Sequence, residues 1–135
     1  MSYVIIRQSL ETRLNAIGVF PTAFENVPFN PIAGTPWQRA RLLPARTENP
    51  TQGDAFKREI GIFEVMLAYP QNAGPQLAAT RANLIVTSFP KGWSLVVGTL
   101  RVLIDRSPFI GQGIPDGAWY KLPVSIPYIA DVYSG

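Results

Sequence analysis

The chain has 135 residues, enough for one domain that buries about two-thirds of its unfolded surface. Hydrophobic residues make up 47% and charged residues 16%, which excludes a disordered chain; no apolar run approaches the ~20 residues of a membrane helix. Cysteine and histidine are absent, removing disulfides, thiolate chemistry and the usual general base near neutral pH, and a net charge of +3 is only mildly basic.

The first residues, MSYVIIRQSLETRL, lack a basic leader ahead of an apolar block, so no secretory signal is expected. Ile6, Leu10, Leu14 and Ile17 instead recur at helical spacing and predict a helix over 2–17, with Tyr3 extending its apolar stripe. Ser2 is its candidate N-cap and Gly18 its candidate C′ residue, with Arg7, Glu11 and Arg13 off the stripe in solvent. Two short strands are predicted next, over 23–27 and 37–43, separated by the proline-rich stretch 28–36. In the second, Ala40 and Leu42 share one face, Arg39 and Arg41 the other. Residues 44–55 are polar and rich in turn formers, which predicts an exposed loop.

The longest strand is expected over 56–69, apolar on both faces in its later half and therefore central. Gly74-Pro75 opens a second helix running to about Phe89, with Leu77, Arg81, Leu84, Ile85 and Ser88 at helical spacing and Ala78, Ala82 and Phe89 widening its apolar face. Two last strands are predicted over 95–105 and 118–132, joined by a glycine-rich turn over 110–117.

The final strand has two unlike faces. Tyr120, Leu122, Val124, Ile126 and Tyr128 form an apolar face; Trp119, Lys121, Pro123, Ser125 and Pro127 form the other. Pro123 and Pro127 both lack an N–H on the same lateral side, which predicts a sheet edge or a break in pairing there. A proline-guarded edge resists uncontrolled strand addition yet stays open to a planned contact. The order helix, strands, helix, strands predicts one α+β domain over 1–135, two helices packed on a mostly antiparallel twisted sheet.

Catalytic chemistry finds little support. The spacing of Gly111, Gly113 and Gly117 is GxGxxxG and a strand follows it, where a dinucleotide loop needs a helix N-terminus. Gly92-Trp-Ser94 starts like a nucleophile elbow, but Val96 stands where the second glycine belongs. The nine carboxylates are scattered; Glu25 and Glu64, inside apolar stretches, are the ones to inspect, although a satisfied structural pair is the commoner explanation. No catalytic residue, cofactor or metal is expected.

Arg39, Arg41 and Arg46 are the nearest approach to a basic patch. A solvated strand face is the commonest meaning of such a pattern; a protein interface and a nucleic-acid groove with Trp37 and Phe56 as stacking platforms remain alternatives.

In the order and spacing of its motifs the chain resembles the tail terminator-like family of long-tailed bacteriophages and prophages. The resemblance rests on the N-terminal helix, PTAFENVP at 21–28, GTPW at 34–37 leading into the arginine strand, GIFEV at 61–65 and GIPDGAWYKLPVSIPY at 113–128. It implies a structural α+β subunit that forms a ring, commonly a hexamer, caps the tail tube, stops its growth and supplies the surface that joins the head. The implied partners are copies of itself, the tail tube protein and head–tail connector proteins, with no membrane and no specific nucleic acid. Synthesis in the host cytoplasm and residence in the virion are implied too. A head–tail adaptor or a tube subunit is the alternative within the virion, and a nucleic-acid-binding module a weaker one. The expected interface residues come from the physical pattern: Phe29, Trp37, Arg39, Arg41, Arg46, Trp119, Lys121, Pro123 and Pro127.

Overall fold

A computed structural model describes residues 2–18, 20–25, 27–48, 56–72 and 74–133. The order is α1 (Ser2–Asn15), β1 (Thr22–Phe24), β2 (Trp37–Glu48), β3 (Phe56–Pro70), α2 (Gln76–Ser88), β4 (Ser94–Val97), β5 (Leu100–Leu103), β6 (Phe109–Ile110), β7 (Ile114–Asp116) and β8 (Trp119–Tyr133). The strands form one sheet in the order β1-β2-β3-β8-β5-β4, with β6 and β7 also pairing β8. Every pair is antiparallel except β1 with β2. The α+β expectation therefore holds, on a mixed sheet.

Both helices cover one sheet face. Ile6, Leu10 and Leu14 of α1 meet Ala78, Ala82 and Ile85 of α2 over Leu42, Phe63, Val65, Val124 and Ile126, all buried. Burying this aliphatic and aromatic surface is the main force holding the layers together. The stripe of α2 is the small-residue one, so its helix lies close to the sheet; Leu77 and Leu84, expected to face inward, are exposed. Arg81 is half-buried: its guanidinium lies 4.3 Å from the Phe20 ring centroid and donates to the buried Gln38 side chain at 3.2 Å. Pro75 is the N-cap of α2 and precedes its first turn.

In α1, Tyr3 is 42% exposed and does not continue the stripe. Arg7 and Glu11 are not simply solvated, because Arg7 bridges Glu11 at 3.6 Å and Glu25 at 2.9 Å. Gly18 has φ of +147°, a conformation that suits glycine just beyond a helix end. The side chain of Ser2 lies outside the described residues.

Three strand boundaries differ from expectation. β1 stops at Phe24. β2 runs on to Glu48, past a register shift between Pro44 and Arg46, so the first part of the expected loop is strand, and the remainder of that loop lies outside the described residues. The strand expected over 95–105 is a hairpin, because Gly98 at φ +61° permits a tight turn between β4 and β5.

Of the two readings of the last strand's prolines, the sheet edge is overturned and the break in pairing is met. β8 is interior, paired with β3 from Trp119 to Tyr133 on one side and with β7, β6 and β5 in turn on the other. The Gly111 N–H donates to the Pro123 carbonyl at 2.8 Å. In a strand, the N–H and C=O of one residue point the same way, so the missing donors of Pro123 and Pro127 face the side of the three short strands. There the ladder with β7 ends at Lys121, that with β6 covers Val124 and Ser125, and that with β5 starts at Ile129. Each proline occupies a break between short ladders, where no donor is required.

Candidate protein-interaction face

Among the described residues, no helix covers the second sheet face. Strand register lays its side chains in rows across β2, β3 and β8. Trp37, Ala68 and Lys121 make one row; Arg39, Met66 and Pro123 the next; Arg41, Glu64 and Ser125 the third; Leu43, Ile62 and Pro127 the fourth. Phe109 opposite Ser125 and Ile114 opposite Lys121 extend the rows outward, at 53% and 55% exposure. The expectation that β3 is covered on both sides is thus half met: Phe63, Val65 and Leu67 are buried, whereas Ile62, Glu64 and Met66 are only partly shielded.

One end of this face is aromatic. Trp37, Ala23 and Ala68 are buried together, with Phe29 and Trp119 packed on them. The Trp37 ring lies 5.3 Å from Phe29 and makes an edge-on contact with Trp119 at 5.9 Å. Such tilted and edge-to-face geometries are the ones aromatic quadrupoles favour. Two cations address the same ring, the Arg39 guanidinium at 5.5 Å and the Lys121 ammonium at 5.8 Å. The alternation of β2 places Arg39 beside Trp37, and the alternation of β8 places Lys121 beside Trp119 on the same side. The indole Nε1 of Trp37 is buried and has no acceptor among the described residues.

The charges on this face are unequally engaged. Lys121 pairs with Asp116 at 2.7 Å. Arg41 donates to Glu64 Oε1 from Nη2 at 2.5 Å and from Nε at 3.2 Å. Glu25 accepts the Leu42 backbone N–H at 2.7 Å and pairs with Arg7. Glu25 and Glu64 thus serve structural bonds. Arg39 is exposed, and its one described interaction is with the Trp37 ring. A cavity of about 460 Å³, bordered by Phe29, Ala23, Glu25, Arg39 and Arg41, opens beside it between the segment after β1 and the β2 edge.

The structure therefore gathers Phe29, Trp37, Arg39, Trp119 and Lys121 into one cluster, with Arg41, Pro123 and Pro127 farther along the same face. The side chain of Arg46 lies outside the described residues. Sequence reasoning missed Leu43, Ile62, Met66, Phe109 and Ile114. The apolarity of both faces of β3 hinted at Ile62 and Met66; Phe109 and Ile114 lie in strands of two and three residues, too short to show a period. With Arg41 held by Glu64, Arg39 and Arg41 do not make a pair of free cations for a polyanion.

Comparison with known proteins gives a family and a fold. A family model described as phage tail terminator protein matches residues 5–128. A solved structure for which no function is stated is 28% identical, superposes with a TM-score of 0.80, and aligns over 100% of this chain and 99% of its own. No curated protein matches.

Proposed function

The chain belongs to the phage tail terminator family and is a structural component of the phage tail; from that premise we propose that it assembles as a ring, with six copies the expected number, on the end of the completed tail tube. The ring stops tube growth and presents the surface to which head–tail connector proteins join. The observation that carries this reading is the family match across 5–128, which runs from α1 into β8 and so includes both helices and the open face.

The fold suits the role. A closed ring built from one kind of subunit needs two different lateral surfaces. The sheet ends in β1–β2 on one side and β4 on the other, unlike in length and in side chains. The uncovered face, with an aromatic cluster ringed by cations, has the residue types that dominate protein interfaces, tryptophan and arginine above all. We propose no catalytic step, cofactor, membrane contact or specific nucleic-acid contact. Synthesis in the host cytoplasm before incorporation into the virion completes the reading.

Negative-stain images of purified tail tubes incubated with the protein test it. Density confined to one tube end is the expected result. Density along the tube would make the protein a tube subunit, and density only on head connectors would make it an adaptor.

A further inference from the structure

We propose that the free subunit pairs with a second copy of itself along the outer edge of β4, the two strands running antiparallel about a two-fold axis at Leu95.

β4 ends the sheet, and its edge has none of the usual guards. Ser94–Val97 holds no charge and no proline, and all four residues are exposed, Val96 to 64%. The Ile104 N–H donates to the Trp93 carbonyl at 2.9 Å. By strand alternation Leu95 and Val97 also turn their backbone groups to β5. Ser94 and Val96 turn theirs outward, where no partner lies among the described residues. Leu95 and Val97 stand opposite the buried Val102 and Leu100, so their side chains lie on the helix-covered face. There a groove of about 440 Å³ separates β4 from α1, with apolar walls at Ile5, Ala16, Trp93, Leu95 and Val97. Arg13, which also borders it, donates to the Ser88 carbonyl at 2.8 Å and lies 4.9 Å from the Trp93 ring centroid. A strand added beneath α1 meets both the open backbone groups and the groove.

A second β4 matches this edge. With Leu95 facing its own copy, Ser94 pairs with Val96 of the second copy on either side of the axis, and every outward N–H and C=O of both strands is bonded. On the helix-covered side the rows read Val102–Leu95–Leu95–Val102 and Leu100–Val97–Trp93–Ile104, so the apolar core runs on across the axis. On the other side Arg101 is followed by Val96, then by Ser94 and Leu103 of the second copy. Two copies of net charge +3 therefore meet without like charges in one row.

The other end of the sheet offers no such match. β1 is three residues long, and Glu25 accepts the Leu42 N–H at 2.7 Å. Pro44, the next residue of β2 facing that way, has no N–H to give. Copies joined edge to edge thus meet at β4 on both sides. Such a contact closes at two, so it is distinct from the repeating contact proposed for the ring and stands whether or not the protein caps a tube.

The chain lacks cysteine, so single-cysteine variants of the full chain read the register directly. Leu95→Cys should form a disulfide-linked dimer on mild oxidation, because facing residues of a non-hydrogen-bonded pair hold their Cα atoms about 4.5 Å apart, within disulfide reach. Val97→Cys should not, since its counterpart lies well along the strand. Sedimentation velocity over a concentration series should show a monomer–dimer equilibrium for wild type. Val96→Pro, which removes an outward donor, and Val96→Lys, which charges the edge and keeps the ladder to β5, should each weaken it at least about tenfold. Circular dichroism checks folding. Wild type that stays monomeric across the series, or a dimer unaffected by a folded Val96→Lys, overturns the inference. Failure of Leu95→Cys to cross-link, or cross-linking of Val97→Cys as readily, overturns the two-fold register. Ser94 and Val96 amides protected from hydrogen exchange only when tail tubes are added would assign the edge to the tube and overturn the pairing.

Discussion

Gly61 and Tyr128 stand directly opposite each other on β3 and β8, and a Cβ on Gly61 would lie 2.5 Å from the Tyr128 hydroxyl oxygen. The same Cβ would lie 2.7 Å from the Leu43 carbonyl oxygen on the other neighbouring strand. Glycine is thus required here by the close packing of three long strands. Gly61→Ala should lower unfolding free energy by about 1–3 kcal/mol, the usual range for overpacking a filled core. Urea unfolding checks this. In a Tyr128→Phe background the loss should shrink without vanishing, because the Leu43 carbonyl oxygen and the ring carbon Cζ, at 2.8 Å from the added Cβ, both remain. Equal losses in both backgrounds would place the strain at the Leu43 carbonyl and the ring carbon, and not at the hydroxyl.

Tyr128 also links folding to alkaline pH. Burial, aided by the nearby Glu59 and Tyr3, pushes its hydroxyl up to about 12 from an ordinary value of 10.0. Between those values the unfolded chain gives up the proton while the folded chain keeps it. Stability is therefore unaffected by this group below about pH 10 and falls as pH rises toward 12, by up to about 1.4 kcal/mol per pH unit. Burial raises Tyr69 as well, so a second group adds to the decline. Tyr128→Phe should reduce the slope of stability against pH by about one proton. A slope unchanged by that substitution would assign the alkaline loss elsewhere.

Asp131 is buried to 5% exposure and accepts two bonds from Arg58, at 2.8 Å from Nε and 3.3 Å from Nη2. Arg58→Ala removes this fork and leaves the carboxylate in a dry setting. The expected cost is about 2 kcal/mol, less than for a fully buried pair because the Arg58 side chain is 38% exposed. Asp131→Asn should cost less, since the amide keeps an acceptor oxygen for Arg58 and leaves no buried charge unpaired. The reverse ranking in chemical denaturation would mean that the arginine, not the acid, is the group that depends on the pair.

Much of this architecture is legible in the residues because burial leaves a period. Ile6, Leu10 and Leu14 mark α1, and the alternation from Tyr120 to Tyr128 marks the inner face of β8. What period cannot show is what lies beside a strand. Pro123 and Pro127 show a side without donors, and a bare edge and a chain of short, interrupted ladders leave the same trace. The two leucines of α2 mislead for a related reason: helical spacing offers two overlapping stripes, and the smaller one wins because it lets the helix approach the sheet. For the candidate site, strand alternation pairs Trp37 with Arg39 and Trp119 with Lys121. That both pairs surround one ring follows from the register through β3, which is set by long-range packing.

Trp37 offers the sharpest separation between folding and recognition. It is 5% exposed, packed by Phe29 and Trp119, with its Nε1 donor unmet among the described residues. Trp37→Ala should cost about 3–5 kcal/mol, as truncation of a large buried aromatic does. Trp37→Phe trades a smaller loss of buried area against removal of a donor whose burial without an acceptor costs about 1–3 kcal/mol. These terms oppose each other, so the isolated subunit should change by less than about 1 kcal/mol in urea unfolding. Because Nε1 is shut off from the surface, a docked partner cannot reach it without opening the cluster, so the same substitution should alter tube binding by no more than it alters stability. A loss above about 2 kcal/mol in the isolated subunit would mean that the indole N–H already has an acceptor there, and the cluster would then be a structural one.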